Sequence, residues 1–316
     1  MMRPDMSHIR IPDSLILARS LLFAALLALA APASALAKVP NVVVTILPIH
    51  SLVSGVMEGV GIPKLLIDRP ASPHDYAMRP SDAKALNNAD LVVWVGPTLE
   101  SFLIKPLTTL DPKVKVINLT DEPSIHVIHI AGGAGATRAG TEAGLDVDPH
   151  IWLDPTNAIA ITRLIAAELK KIDPDNADTY ESNAEAQIDD LIDLDMSTSE
   201  MTAGNFLGKP VILYHDSLRY FAARYGLDVA GTILSGDRLP GARHMSDLRN
   251  IIAGQNVRCV FTEPEFSPAM ARALVEGTHA KVAEIDPLGT KLQPSPKAYR
   301  FLVESVFSSI LDCLRG

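Results

Sequence analysis

Short apolar segments alternate with amphipathic segments over most of this 316-residue chain. The apolar segments have the length and composition of buried strands, and the segments between them have helical spacing. Strands that alternate with helices form parallel sheets whose faces are covered by the helices. The strands fall into two runs, the first with VVVTIL, KLLI, DLVVWVG and KVKVINL, and the second with PVILYH, LDVAGTIL, VRCVFTE and KVAEID.

One long acidic segment, residues 176–201, separates the two runs, and its apolar positions form only a narrow face. A long helix with little apolar surface suits a connection between two domains. We therefore predict an α/β protein with two α/β lobes, each with a mainly parallel sheet flanked by helices, joined by one long helix. The predicted bounds are 38–175 for the N-terminal lobe, 176–204 for the linker helix and 205–316 for the C-terminal lobe, with a flexible Gly/Ala-rich loop at about 128–147.

The first 37 residues have the pattern of a secretory signal peptide. Three arginines precede the apolar run LLFAALLALA, and the small-residue exit APASALA follows it. Such a run is shorter than the ~20 residues that a membrane span needs. We predict cleavage after Ala37 and export to the periplasm. The exit contains no cysteine, so a lipid anchor is not indicated there.

The charge and the cysteine count narrow the class of protein further. The formal net charge is −9, which gives no basic surface for nucleic acid or anionic lipid. The two cysteines, Cys259 and Cys313, are the only pair in the chain. In an exported protein they are expected to form a disulfide bond, and two buried thiols are the alternative.

Polar side chains gather at the predicted carboxyl ends of the strands, where open α/β sheets bind their ligands. Several imidazoles and carboxylates that converge on one cleft are typical of a site for a first-row metal ion. The sequence predicts such a site between the two lobes. The candidate ligands are His50, His74, His150, His215, Glu263 and Asp286.

The local sequence favours three of these histidines. His74 lies in DRPASPHDYAMRP, where three prolines lower the entropy cost of ordering the loop. His150 follows Pro149, and His215 is followed by Asp216, which could orient its ring. The other candidates have structural alternatives: a cleft wall for His50, a solvated side chain or hydrogen bonding between the lobes for Glu263, and a helix or turn cap for Asp286. We expect surface or core roles for the remaining histidines, with weak metal capture by two residues beside the loop, His126 and His129, as a minor alternative.

Several motifs together resemble the zinc-binding periplasmic proteins of ABC uptake systems, the ZnuA-like family. They are SPHDYAMRPSDAKALNNADLVVWVG, DPHIWLDP, YHDSLRYFAARYGL, CVFTEPEF and DPLGT, and the similarity extends from about Val42 to Cys313. The resemblance implies the fold of a metal-type periplasmic binding protein and a Cys259–Cys313 disulfide. It also implies that His74, His150 and His215 bind Zn(II) as the transported ligand. The implied partners are a membrane permease and its cytoplasmic ATPase, and we expect a monomer.

The chain departs from the family pattern at two places. Many members have a loop rich in His, Asp and Glu before the second ligand, whereas the loop here is rich in Gly and Ala. Some members have an acidic fourth ligand directly before the first histidine, and Pro73 occupies that position here. The resemblance therefore leaves Asp286 or a water molecule for the fourth ligand position.

Two other functions stay open at the level of sequence. A manganese-binding relative would have the same fold, although manganese prefers more oxygen ligands than three imidazoles leave room for. A zinc hydrolase would need a general base beside an open metal position, and Glu263 is the candidate. The chain has no G-x-S-x-G, P-loop or H-E-x-x-H motif, so binding rather than catalysis is the favoured function. Since imidazole binds a metal only when neutral, the affinity should fall as the pH drops through about 6.5.

Overall fold

We describe a computed structural model of the chain. It describes residues 39–131, 145–234 and 238–315. The predicted signal peptide lies outside these ranges. Within them, no helix combines the length and the apolar character that crossing a membrane requires.

The N-terminal lobe contains a sheet of four parallel strands with the order β2-β1-β3-β4. Strands β1 and β3 are fully buried because each is a continuous apolar run covered on both faces, as in other parallel sheets. The strands are β1 (Val42–Val44), β2 (Lys64–Leu65), β3 (Leu91–Trp94) and β4 (Lys115–Asn118), and the helices are α1 (Leu47–Val56), α2 (Pro80–Asn87) and α3 (Ile104–Leu107).

Two short antiparallel strands follow, β5 (His129–Ala131) and β6 (Leu145–Val147), with His129 paired to Val147. The sequence predicted a flexible loop at about 128–147. The two strands lie at the ends of that loop. The part between the strands, 132–144, lies outside the described residues.

Two helices then connect the lobes. Helix α4 (Pro155–Ile172) begins at Asp154, whose carboxylate accepts a hydrogen bond from the Thr156 amide at 2.9 Å. Helix α5 (Ala177–Thr202) has 26 residues, and at 1.5 Å per residue it is about 39 Å long. It packs against α1, α4 and the last helix of the chain, so the predicted long connecting helix is present.

The C-terminal lobe repeats the architecture with a second parallel sheet in the order β10-β9-β7-β8. Cys259 at the start of β9 forms a disulfide with Cys313 in the last helix, so the predicted disulfide is confirmed. The elements are β7 (Val211–Leu213), α6 (Arg219–Tyr225), β8 (Val229–Thr232), α7 (Ala242–Gln255), β9 (Cys259–Thr262), α8 (Ala269–Val275), β10 (Lys281–Glu284) and α9 (Ala298–Arg315).

The two lobes share one apolar core. A single cluster of buried side chains includes Val44 and Val93 from the first sheet and Leu213 and Phe261 from the second. Trp152 lies at the junction, where its indole N–H donates to the Pro287 carbonyl oxygen at 2.8 Å. This shared packing holds the carboxyl ends of both sheets at the same cleft.

Candidate metal centre

His74 is presented by a loop that is tied down at both ends. It lies in a short 3-10 turn, Pro73–Asp75, and its amide donates to the Ser72 hydroxyl at 3.3 Å. At the base of the loop, the Arg79 guanidinium donates to Asp68 at 2.9 Å and also contacts buried Asp82. The prolines and this network together restrict the loop that carries the His74 ring.

His150 is oriented by a buried carboxylate two residues before it. Its Nδ1 atom and its backbone N–H lie 2.8 Å and 2.9 Å from Asp148 Oδ1. Burial favours a raised pKa for Asp148, but its contacts with His150 and Arg219 outweigh burial and lower that pKa. Asp148 is therefore an anionic acceptor that fixes Nδ1 as the protonated nitrogen and leaves the lone pair of His150 Nε2 available to a metal ion.

His215 follows strand β7 and has a comparable partner from another part of the chain. Its Nδ1 atom lies 2.9 Å from Glu263 Oε1, and the Ser217 hydroxyl donates to the same oxygen at 2.9 Å. The sequence suggested that neighbouring Asp216 would orient this ring. That suggestion was wrong, because Asp216 forms an ion pair with Arg219.

The three rings converge on one point. One ligand nitrogen from each of His74, His150 and His215 lies within 4.8 Å of the other two. The Nε2 atoms of His150 and His215 are 3.2 Å apart. Zinc–nitrogen bonds of 2.0–2.1 Å in a tetrahedral site place two ligand nitrogens roughly 3.3 Å apart, so this pair already has the spacing of zinc ligands.

The space beside these rings is small, and both apolar and acidic side chains line it. A cavity of about 10 Å³ is lined by the three histidines together with Leu99, Trp152 and Phe266. Within the described ranges, these histidines are the only group of three or more His, Cys, Asp or Glu side chains with metal-ligand spacing. The arrangement suits a single ion rather than an organic substrate.

Besides Glu263, two other candidate ligands lie outside this group. His50 is buried in α1, where its Nε2–H donates to the Pro63 carbonyl oxygen at 2.9 Å and Nδ1 faces the Ser54 hydroxyl. Burial lowers the pKa of His50, which keeps its ring neutral in this structural role. Asp286 caps the turn that follows it, because its carboxylate accepts from the Thr290 amide, the Thr290 hydroxyl and the Lys291 amide.

His126 and His129, the two histidines beside the loop, are also outside the group. Both side chains are exposed. The His126 ring lies 3.9 Å from Asp154. Neither ring is part of the three-histidine cluster.

Sequence reasoning gave no metal-site role to one acid beside the three histidines, Glu265. It lines the same cavity as the histidines. Burial raises the pKa of its carboxyl group to about 7, and the nearby acids Glu263 and Asp286 add to the increase. The motif TEPEF marked this region and both of its glutamates line the cavity, but a pattern cannot indicate which contacts each of them makes.

The model of the family "Zinc-uptake complex component A periplasmic", ZnuA, matches residues 42–313. The chain belongs to the ZnuA family. The match covers both lobes, all three clustered histidines and the disulfide. The family identification therefore agrees with the fold and with the chemistry of the site.

Named relatives of the ZnuA family are similar over almost their full length. A protein of Brucella abortus (strain 2308) called "High-affinity zinc uptake system protein ZnuA" is 35% identical, over 87% of this chain and 91% of its own length. A protein of the same name from Paracoccus denitrificans (strain Pd 1222) is 34% identical, over 96% of this chain and 98% of its own. A solved structure titled "Crystal structure of ZnuA" has a TM-score of 0.74 and 25% identity, and covers 87% of this chain and 99% of that one.

Proposed function

We propose that this protein binds Zn(II) with high affinity in the cleft between its lobes and delivers it to an ABC permease for import. The observation that carries the proposal is the convergence of three imidazole nitrogens within 4.8 Å of one another. His74 and His150 come from the N-terminal half of the chain, and His215 comes from the C-terminal lobe. The ion therefore joins the two lobes. The names of the Brucella and Paracoccus relatives support zinc as the transported ligand.

The ligand chemistry favours zinc over manganese. Three nitrogen ligands suit a tetrahedral zinc site, whereas manganese prefers a set rich in carboxylate, carbonyl and water oxygens. Asp148 and Glu263, the buried acids that contact His150 and His215, increase the basicity of these rings and balance part of the ionic charge. The proposed site is therefore organised around nitrogen ligands, with the carboxylates of Asp148 and Glu263 held behind them.

We propose a binding role rather than hydrolysis. The hydrolase alternative needed Glu263 as a general base beside the metal. That carboxylate instead accepts from Ser217 and contacts the His215 ring. A carboxylate that already holds a metal-binding histidine is poorly placed to act as a base on a water molecule.

The remaining parts of the proposal concern transport. The mature protein, cleaved after Ala37, works in the periplasm as a monomer, and its partners are the permease and the cytoplasmic ATPase that drives it. The shared core and the Trp152 contact support small movements of the lobes on binding. We expect any further adjustment to be local to the loop that carries His74 and to be small, because its prolines and polar contacts restrict it.

The zinc stoichiometry and affinity of a His74→Ala variant test this proposal. The wild-type protein should bind one zinc ion, measured by competition with a chromophoric chelator. Loss of the groups behind a metal ligand commonly costs ~10- to 100-fold in affinity, so loss of the ligand itself should cost more than about 100-fold.

His279→Ala provides the matched control, since His279 is exposed and outside the cluster. It should leave the zinc affinity unchanged. A His74→Ala protein that binds zinc as tightly as the control would contradict the ligand assignment.

A further inference from the structure

Three neutral imidazoles do not themselves balance the charge of a zinc ion, and three carboxylates lie in this part of the C-terminal lobe. They are Glu263, Glu265 and Asp286, which are close enough to influence one another electrostatically. The hydrogen bonds of each carboxylate determine which of them is available to the metal.

Two of the three carboxylates are already engaged. Oε1 of Glu263 accepts from the Ser217 hydroxyl and lies 2.9 Å from Nδ1 of His215. Both oxygens of Asp286 are used, since Oδ1 accepts from the Thr290 amide, and Oδ2 accepts from the Thr290 hydroxyl and the Lys291 amide. Asp286 would have to give up these turn contacts to reach a metal ion.

Glu265 is different from both. Its two carboxylate oxygens are shielded from solvent, and neither has a hydrogen-bond partner among the described residues. Burying a carboxylate without partners is costly, so such groups are usually paired, hydrogen-bonded or bound to a metal. Glu265 lines the same cavity as the three histidines, so a cation bound there would satisfy it.

A hydrogen bond and ring contacts hold the backbone beside Glu265, whereas its carboxylate has no hydrogen-bond partner in the part of the chain that the structure describes. The Phe266 amide donates to the Glu263 carbonyl oxygen at 3.1 Å, which closes a turn around Pro264 and Glu265. The Phe266 ring stacks on Tyr214 at 4.7 Å and meets the His215 ring edge-on at 5.4 Å. This anchors the Glu265 backbone next to His215, while no hydrogen bond within the described ranges fixes its carboxylate.

We propose that Glu265 provides the fourth ligand of the zinc site. The inference rests on the proposed function. Its carboxylate is not in the group whose ligand atoms lie within 4.8 Å of one another. The carboxylate therefore moves towards the three nitrogens when the ion binds. The resulting set of three imidazoles and one carboxylate closes a tetrahedral site. Glu265 takes the position that the sequence left to Asp286 or water.

The test compares Glu265→Gln with Asp286→Asn, two changes that each remove one charge and keep the shape of the side chain. Zinc affinity is measured by chelator competition, and the ligand set is followed by the visible absorption of the Co(II)-loaded protein. We expect Glu265→Gln to lose at least ~10-fold in zinc affinity and to change the Co(II) spectrum. Asp286→Asn should leave the spectrum unchanged and the affinity within about 3-fold.

Thermal unfolding of the metal-free proteins separates a ligand from a structural role. Removing a buried charge that has no partner should leave the metal-free Glu265→Gln protein at least as stable as the wild type. A variant that loses zinc affinity because its fold is damaged would unfold at a lower temperature, and that result would overturn the proposal.

The other outcomes are equally decisive. An unchanged Co(II) spectrum in Glu265→Gln overturns the proposal, whether or not the zinc affinity falls, because the carboxylate then does not bind the metal. A spectral change in Asp286→Asn alone assigns the fourth position to Asp286 and also overturns it. If the wild-type protein itself fails to bind zinc, or if His74→Ala binds it normally, the proposed function fails instead.

Discussion

At the scale of single residues, the proposed site depends on acids that orient two of the three clustered histidines. Asp148 holds His150, and Glu263 holds His215, each through the Nδ1 atom. A ring held in this way presents Nε2 to the cleft before any ion arrives, so less conformational entropy is lost on binding. The acids are almost fully buried, which strengthens these contacts because water does not compete for them.

Replacing Glu263 with Gln tests this role. The amide keeps the shape of the side chain but removes the charge that supports the His215 ring, so the zinc affinity should fall roughly 10- to 100-fold. Asp216→Asn is the matched control, because Asp216 pairs with Arg219 and not with His215. Chelator competition on both variants measures the effect. An equal or larger loss in Asp216→Asn would contradict the assignment.

The limits of sequence reasoning are clearest at these same residues. His74, His150 and His215 could be selected because they follow predicted strands or lie in stiff Pro-containing loops, and they do converge. The partner of His150 is local, in the stretch DPH, but the partner of His215 comes from another strand of the sheet. Neighbours in sequence made Asp216 the plausible choice, whereas the packing of β7 against β9 brings Glu263 to His215. Contacts of that kind depend on tertiary packing and leave no local pattern.

At the scale of elements, polar side chains are buried at the ends of the parallel strands, and not all of them belong to the proposed metal site. Glu100 is fully buried after β3 and accepts from the Thr45 hydroxyl at 2.5 Å and from the Val95 and Gly96 amides. It joins the ends of β1 and β3. The alternation of strands and helices predicted both sheets correctly, but it gave no indication of this carboxylate, because a single Glu in a connecting segment is ordinarily exposed.

Glu100 should make the stability of the metal-free protein depend on pH. Burial raises the pKa of its carboxyl group from 4.5 to about 7. The folded state therefore holds its proton more tightly than the unfolded state. The stability from this group is complete below pH 4.5 and is lost as the pH rises through about 7.

Urea unfolding of the wild type and of Glu100→Gln at pH 5 and pH 8 measures this loss. The glutamine variant lacks the titrating group. Between these two conditions the wild type should lose stability relative to the variant, by an amount on the order of 3 kcal/mol. A difference between the two proteins that stays constant with pH would contradict this expectation.

At the scale of the whole molecule, the two lobes are joined by more than the long helix. The continuous core, the Trp152–Pro287 hydrogen bond and the packing of α5 against α1 and α9 connect them at several places. The predicted two-lobe α/β fold is confirmed, and the three histidines proposed as ligands lie where the lobes meet. An ion bound there contacts both lobes, so a permease could distinguish the loaded protein from the empty one through small changes at the cleft.

The central claim is that this cleft is a nitrogen-rich zinc site. A competitive titration of Zn(II) against Mn(II) on the purified mature protein, together with its metal content, tests that claim most directly. We expect one zinc ion per chain, bound so much more tightly than manganese that excess manganese does not displace it. Bound manganese in the purified protein, or displacement of zinc by manganese at comparable concentration, would contradict the account.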